Sequence, residues 1–121
     1  MRIHESAENY LETIYMLGKE KGEVRSIDIA NELEYSKPSV SVAMKNLREN
    51  GYIEVGVDGY ITLTEKGESI AVRMYERHTM LTNWLVSLGV DADTASADAC
   101  RIEHVISDDS FEALKNKYFA K

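Results

Sequence analysis

The stretch that most restricts what this chain can become runs from Glu34 to Thr64, "EYSKPSVSVAMKNLRENGYIEVGVDGYITLT". Ser36 is a ready N-cap, Pro38 suits a first helical turn where its missing N–H costs nothing, and Val40, Ala43, Met44 and Leu47 recur at helical spacing until Gly51 stops the run. Just upstream, Ser26 caps a short helix through Leu33, with Ile27, Ala30 and Leu33 turned inward. Two short helices joined by a tight turn make a helix-turn-helix. Two β-rich runs then flank Asp58-Gly59, a hairpin signal. A preceding helix from about Ser6 to Lys21, apolar at Ala7, Tyr10, Leu11, Ile14, Tyr15 and Leu17 and closed by Gly22, completes a winged helix-turn-helix.

From Thr64, a second cap, a long helical pattern passes through Ile70, Met74, His78, Leu81 and Leu85 and ends near Gly89. The apolar surface around Met74, Leu81, Trp84 and Leu85 predicts a dimer scaffold that forms even without a ligand. A further helix is expected over about Thr94 to Ile106, and Ser107 with Asp108 and Asp109 opens a last one. The fold class is thus mainly α: an N-terminal winged helix-turn-helix over residues 1–63, then an all-helical part over 64–121.

Charge narrows the function. The net charge of -7 argues against clinging to nucleic acid by bulk electrostatics. Between Ser36 and Asn50, however, Lys37, Lys45 and Arg48 oppose only Glu49, so a locally basic helix sits on an acidic chain. Double-stranded DNA is the expected partner: Ser36, Pro38, Ser39 and Val42 near base edges, with Arg25, Lys37 and Lys45 on phosphates. No run of 18 apolar residues and no signal-peptide core are present, which predicts a cytoplasmic protein without a membrane partner.

The segment "DACRIEHVIS" places Cys100, Glu103 and His104 at i, i+3 and i+4, on one helical face. A thiol, a carboxylate and an imidazole are good donors for a transition metal, but three ligands from one turn leave a shell of four to six incomplete. Taken singly, Cys100 is a core residue, a reactive thiol or a ligand. Asn9 and Glu12 on the first helix and His78 on the long one are individually weak ligand candidates. An enzyme using Cys100, Glu103 and His104 lacks an HExxH pair, an oxyanion-type glycine loop or an acid/base partner, so no catalysis and no small-molecule substrate are expected.

The stretches "ENYLETIYML", "SKPSVSVAMKNLRENGYI", "LTEKGESIAVRMYERHTML" and "ACRIEHVISDD" together resemble the diphtheria-toxin-repressor and manganese-transport-regulator family of metal-dependent transcriptional repressors nearly end to end. The resemblance implies a helical dimerisation and metal-binding domain after the winged one, in a short form lacking the SH3-like domain. It implies metal ligands at Asn9, Glu12, His78, Cys100, Glu103 and His104, and metal-uptake genes as targets. Manganese regulators of the family carry Asp and Glu where this chain has Asn9 and Cys100; the iron branch carries Met and Cys. Thr82 and Ser96 stand where the iron branch has a Glu and a His of an ancillary site, and Val42 replaces that branch's glutamine.

A mixed soft and hard donor set suits Fe²⁺ first and Mn²⁺ second, with Co²⁺ or Ni²⁺ as substitutes in vitro. The expected protein is a homodimeric repressor whose operator affinity rises when metal bridges the DNA-binding and dimerisation domains. The metal would set the two recognition helices to enter major grooves about 34 Å apart, with a coupling of about 1–3 kcal/mol. The alternative is a winged-helix regulator that senses a non-metal signal.

Overall fold

A computed structural model describes residues 5–119, and the side chain of Phe119 is outside the description. In chain order, the helices are α1 (Glu5–Lys21), α2 (Ser26–Leu33) and α3 (Lys37–Glu49), followed by strands β1 (Ile53–Val55) and β2 (Ile61–Leu63). Then come α4 (Glu65–Ser87), α5 (Ala92–Val105) and α6 (Asp108–Leu114), with a π-helical turn over Lys115–Phe119. The fold is mainly α, a winged helix-turn-helix followed by helices. Contacts divide it into two compact units, Met1–Val72 and Arg73–Lys121. No helix among the described residues is long and apolar enough to cross a membrane.

In the first unit, one side of each helix closes on a shared core of Tyr10, Leu11, Ile14, Leu17, Ile29, Ala30, Val40, Met44 and Leu47, with Ile53 and Ile61 from the strands. Ser36 caps α3 as its sequence predicts, accepting from the Ser39 N–H at 3.3 Å. The strands pair antiparallel with Ile53 opposite Leu63 and Val55 opposite Ile61. Their turn is closed by the Gly59 N–H donating to the Gly56 carbonyl at 2.9 Å, with Gly59 at φ 85°. The Ile61 N–H also donates to the Val24 carbonyl at 2.7 Å, tying the hairpin to the loop before α2.

Three local expectations are corrected. Arg25, not Ser26, is the N-cap residue of α2. There the Asp28 carboxylate accepts the Arg25 N–H at 2.9 Å and pairs with Lys21 at 2.6 Å. Ile27 is exposed, and the completely buried Ile29 takes its inward place, because Ile29, Ala30 and Leu33 at i, i+1 and i+4 share one helical face from which Ile27 points away. α5 begins at Ala92, since the Asp91 carboxylate captures both the N–H and the hydroxyl of Thr94, at 3.0 and 2.7 Å.

The Lys21 contact, then the Arg25 N–H, hold the Asp28 carboxyl below its ordinary pKa. A depressed folded value means stability that is present above the unfolded pKa and lost as pH falls through the folded one. Asp28→Asn is therefore expected to lower the melting temperature at neutral pH and to leave it unchanged in strong acid, as read by circular dichroism.

The second unit has its own smaller core of Leu81, Ala99 and Phe111, lined by Met80, Trp84, Ile102, Ile106 and Leu114. This corrects the surface role given to Met74 and Leu81, which are 1% and 0% exposed. The residues lie two helical turns apart on one stripe, and at Leu81 that stripe faces the unit's own α5 and α6. Among the described residues, the large apolar ones exposed in this unit are Val86, Leu88, Val105 and Tyr118.

Candidate functional site

Four of the residues singled out as ligands lie in the second unit. α5 carries Cys100, Glu103 and His104 on one face, and one donor atom from each lies within 4.8 Å of the others. Donors sharing a first-row metal at about 2.0–2.3 Å are about 3–4.5 Å apart, so three donors this close together could share one ion. Glu103 is completely buried. From α4, the His78 Nδ1 meets the Glu103 Oε1 at 2.9 Å. A buried carboxylate among imidazoles and a thiol is costly unless positive charge is supplied, and a divalent cation supplies it. The donor chemistry fits a metal.

Asn9 and Glu12 belong to α1 in the first unit, three residues apart on one turn. The Asn9 backbone carbonyl accepts the Thr13 hydroxyl at 2.8 Å, and Glu12 is buried, 4% exposed. Buried acids are uncommon without a partner or a function.

The ancillary positions carry hydroxyls. Ser96 Oγ lies 3.4 Å from His78 Nε2, and Thr82 Oγ1 is buried with no hydrogen-bond partner among the described residues. Neutral hydroxyls are weaker metal donors than a carboxylate or an imidazole.

The DNA candidates all stand at exposed positions of the first unit. Ser36, Lys37, Pro38, Ser39, Val42 and Lys45 are all exposed, while Val40, Met44 and Leu47 hold α3 to the core. Ser39, Val42 and Lys45 follow at intervals of three, one outward stripe. Ser36 Oγ donates to Ser39 Oγ at 2.8 Å, so these hydroxyls are held together at the start of α3. Arg25 lies over the Tyr60 ring, 4.4 Å from its centroid, which restrains a long cationic side chain next to the hairpin.

Two participants escaped the sequence reading. Tyr60 read only as a strand residue. Arg77 was given no role there, although its place three residues after Met74 and four before Leu81 puts it on the buried stripe of α4. It is 5% exposed. A charge on an otherwise apolar stripe was the available signal.

Residues 2–60 match the N-terminal DNA-binding domain of iron-dependent repressors, and residues 64–118 their metal-binding and dimerisation domain. An HTH-type transcriptional regulator of Methanocaldococcus jannaschii is 37% identical over 93% of this chain and 92% of its own length. The transcriptional regulator MntR of Escherichia coli O157:H7 is 36% identical over 92% of this chain and 72% of its own. The iron-dependent repressor IdeR of Mycobacterium tuberculosis is 35% identical over 87% of this chain but only 46% of its own. Among solved structures, the manganese regulator SloR superposes with a TM-score of 0.81 at 28% identity, over 96% of this chain and 54% of that one. A manganese-dependent transcriptional repressor in complex with manganese gives 0.84 at 28% identity, over 92% and 51%. This chain thus spans about half the length of these two structures and of IdeR. With both of its halves matched, the chain belongs to the iron-dependent repressor family of metal-dependent transcriptional repressors.

Proposed function

We propose that this protein is a homodimeric repressor that binds operator DNA when Fe²⁺, or secondarily Mn²⁺, is bound, and that it controls metal-uptake genes. The observation that carries this reading is the cluster of Cys100, Glu103 and His104 around a completely buried carboxylate, in the part of the chain that matches the family's metal-binding domain. His78, Glu12 and Asn9 are the proposed further ligands. Residues 1–63 read DNA, through Ser36, Pro38, Ser39 and Val42 at bases and Arg25, Lys37 and Lys45 at phosphates. Residues 64–121 dimerise and bind metal. Ion binding selects the DNA-competent arrangement of the recognition helices. The role is regulatory, with no catalytic step and no small-molecule substrate.

The donor set supports iron over manganese because a thiolate is soft and Mn²⁺ prefers oxygen. The ligands must shed protons to bind, so metal affinity falls on acidification. IdeR is named for iron and SloR for manganese, so relatives stand on both sides of the choice.

The test is selection from a randomised duplex pool under anaerobic conditions, with Fe²⁺ or with chelator. One sequence class should be enriched only with metal. Enrichment that ignores metal, from protein that purifies without any, would favour a winged-helix regulator sensing a non-metal signal. On the selected duplex, Lys45→Ala should weaken binding to all sequences alike. It should also reduce the slope of log affinity against log salt by about 1 per subunit, because each phosphate contact releases counterions regardless of base.

A further inference from the structure

Arg77 precedes His78 on α4, and the two neighbours hold the same residue of α5 in different ways. His78 meets the Glu103 carboxylate; Arg77 Nη1 donates to the Glu103 backbone carbonyl at 3.1 Å and to the Ile106 carbonyl at 2.9 Å. Its Nη2 pairs with the Asp108 carboxylate in the first turn of α6, and its guanidinium lies over the Phe111 ring at 5.2 Å. α5 ends at Val105, so the Glu103 carbonyl is one of the last four, which have no partner further along the helix. The partial negative charge of a helix C-terminus gathers there. Arg77 is buried at that end, and its fork spans two carbonyls and a carboxylate that a point charge could not serve together.

We infer that Arg77 is a positioning residue for the metal centre, fixing the register of α5 against α4 so that the Glu103 carboxylate meets the His78 ring. The inference rests on the metal-binding reading above and adds to it a residue that is not itself a ligand. Three helices meet at this one side chain, from α4 through the end of α5 to the start of α6. Its charge is directed to the backbone end of α5 and to Asp108. The hydrogen bonds it makes do not include the Glu103 carboxylate, so a cation at the cluster meets an acid that Arg77 has not engaged. A half-turn slip of α5 would carry the Glu103 carboxylate away from His78, and Cys100 and His104 would move with it, since all three ride on the same helix face.

Arg77→Lys keeps the charge and loses the fork, whereas Asp108→Asn weakens one arm at a carboxylate that is 75% exposed and so tolerant of change. Both variants, in the full chain, are titrated anaerobically with Co²⁺, following the thiolate charge-transfer and d–d absorption, and with Fe²⁺ by competition against a chelating dye. Arg77→Lys should lose about 10–100-fold in affinity for both ions and shift the Co²⁺ bands, at unchanged helicity. Asp108→Asn should show the same change in smaller degree. A lowered melting temperature with wild-type affinities and an unshifted spectrum would make Arg77 a structural clamp only and overturn the inference. If Arg77→Lys does not fold, an Asp108→Asn protein with wild-type Co²⁺ bands overturns it equally. Failure of the wild-type chain to bind either ion would instead overturn the metal reading on which it rests.

Discussion

Cys100→Ala is expected to lower Fe²⁺ affinity by about two orders of magnitude and to remove the metal response of operator binding, while the helices and the dimer persist. The thiol is half-buried on α5, within 4.8 Å of donor atoms of Glu103 and His104. Were it only a packing residue, losing the sulfur would cost about 1 kcal/mol of stability and leave metal binding alone. As a ligand it is an anionic donor in a site with few strong ones, and no neighbour of the same type replaces it, because the chain has one cysteine. Cys100→Glu sharpens the comparison. A restored oxygen donor should recover binding and turn preference from Fe²⁺ and Co²⁺ toward Mn²⁺. A glutamate forced into a packing site would instead destabilise the protein. An Ala variant with a normal Fe²⁺ response, together with a Glu variant that unfolds, would place the ligands elsewhere.

Gly67→Ala should be the most damaging single-methyl change in the first unit. A Cβ on Gly67 would stand 2.0 Å from the Tyr52 carbonyl oxygen, a backbone atom that cannot turn aside as a side-chain tip could. The contact is drawn tight by neighbours: the Thr64 N–H donates to that same carbonyl at 3.1 Å, and the Thr64 hydroxyl donates to the Gly51 carbonyl at 2.7 Å. The added methyl must push the start of α4 off the turn between α3 and β1, at a cost of about 3 kcal/mol, or roughly 10 °C in melting temperature for a chain of this size. Gly18→Ala is the control, because its Cβ would meet nothing within 4 Å inside α1. It should stabilise by about 0.5–1 kcal/mol. Equal melting temperatures for the two variants would refute the close approach.

The legible parts of the fold were those written in local chemistry. Ser36, Pro38 and the Val40–Met44–Leu47 stripe announce α3, and Asp58-Gly59 announces the hairpin, because caps, turns and periodicity act over a few residues. The i, i+3, i+4 spacing of Cys100, Glu103 and His104 likewise put three donors together before any tertiary contact was known. The role of Arg77 was not legible, since its partners lie 26 to 31 residues away and are mostly backbone carbonyls, which every sequence has. The inward turn of Leu81 was misread for a related reason. An apolar stripe states that it must be covered and is silent on whether its own chain or a second copy covers it.

The hairpin from Gly51 to Leu63 contains no lysine, arginine or histidine, carries Glu54 and Asp58, and exposes Val57 completely at its tip. On the DNA-binding reading this has a kinetic consequence. Such a wing contributes no counterion release, and its carboxylates oppose the approach to any phosphate, whatever the sequence. Affinity for bulk chromosome then depends on the few cations of α3 and on Arg25, so residence on random sites is brief and a large share of the metal-free pool is in free solution. Repression after a rise in metal would start from diffusing molecules meeting the operator directly, and its onset would scale with protein concentration more than with the amount of competing chromosome.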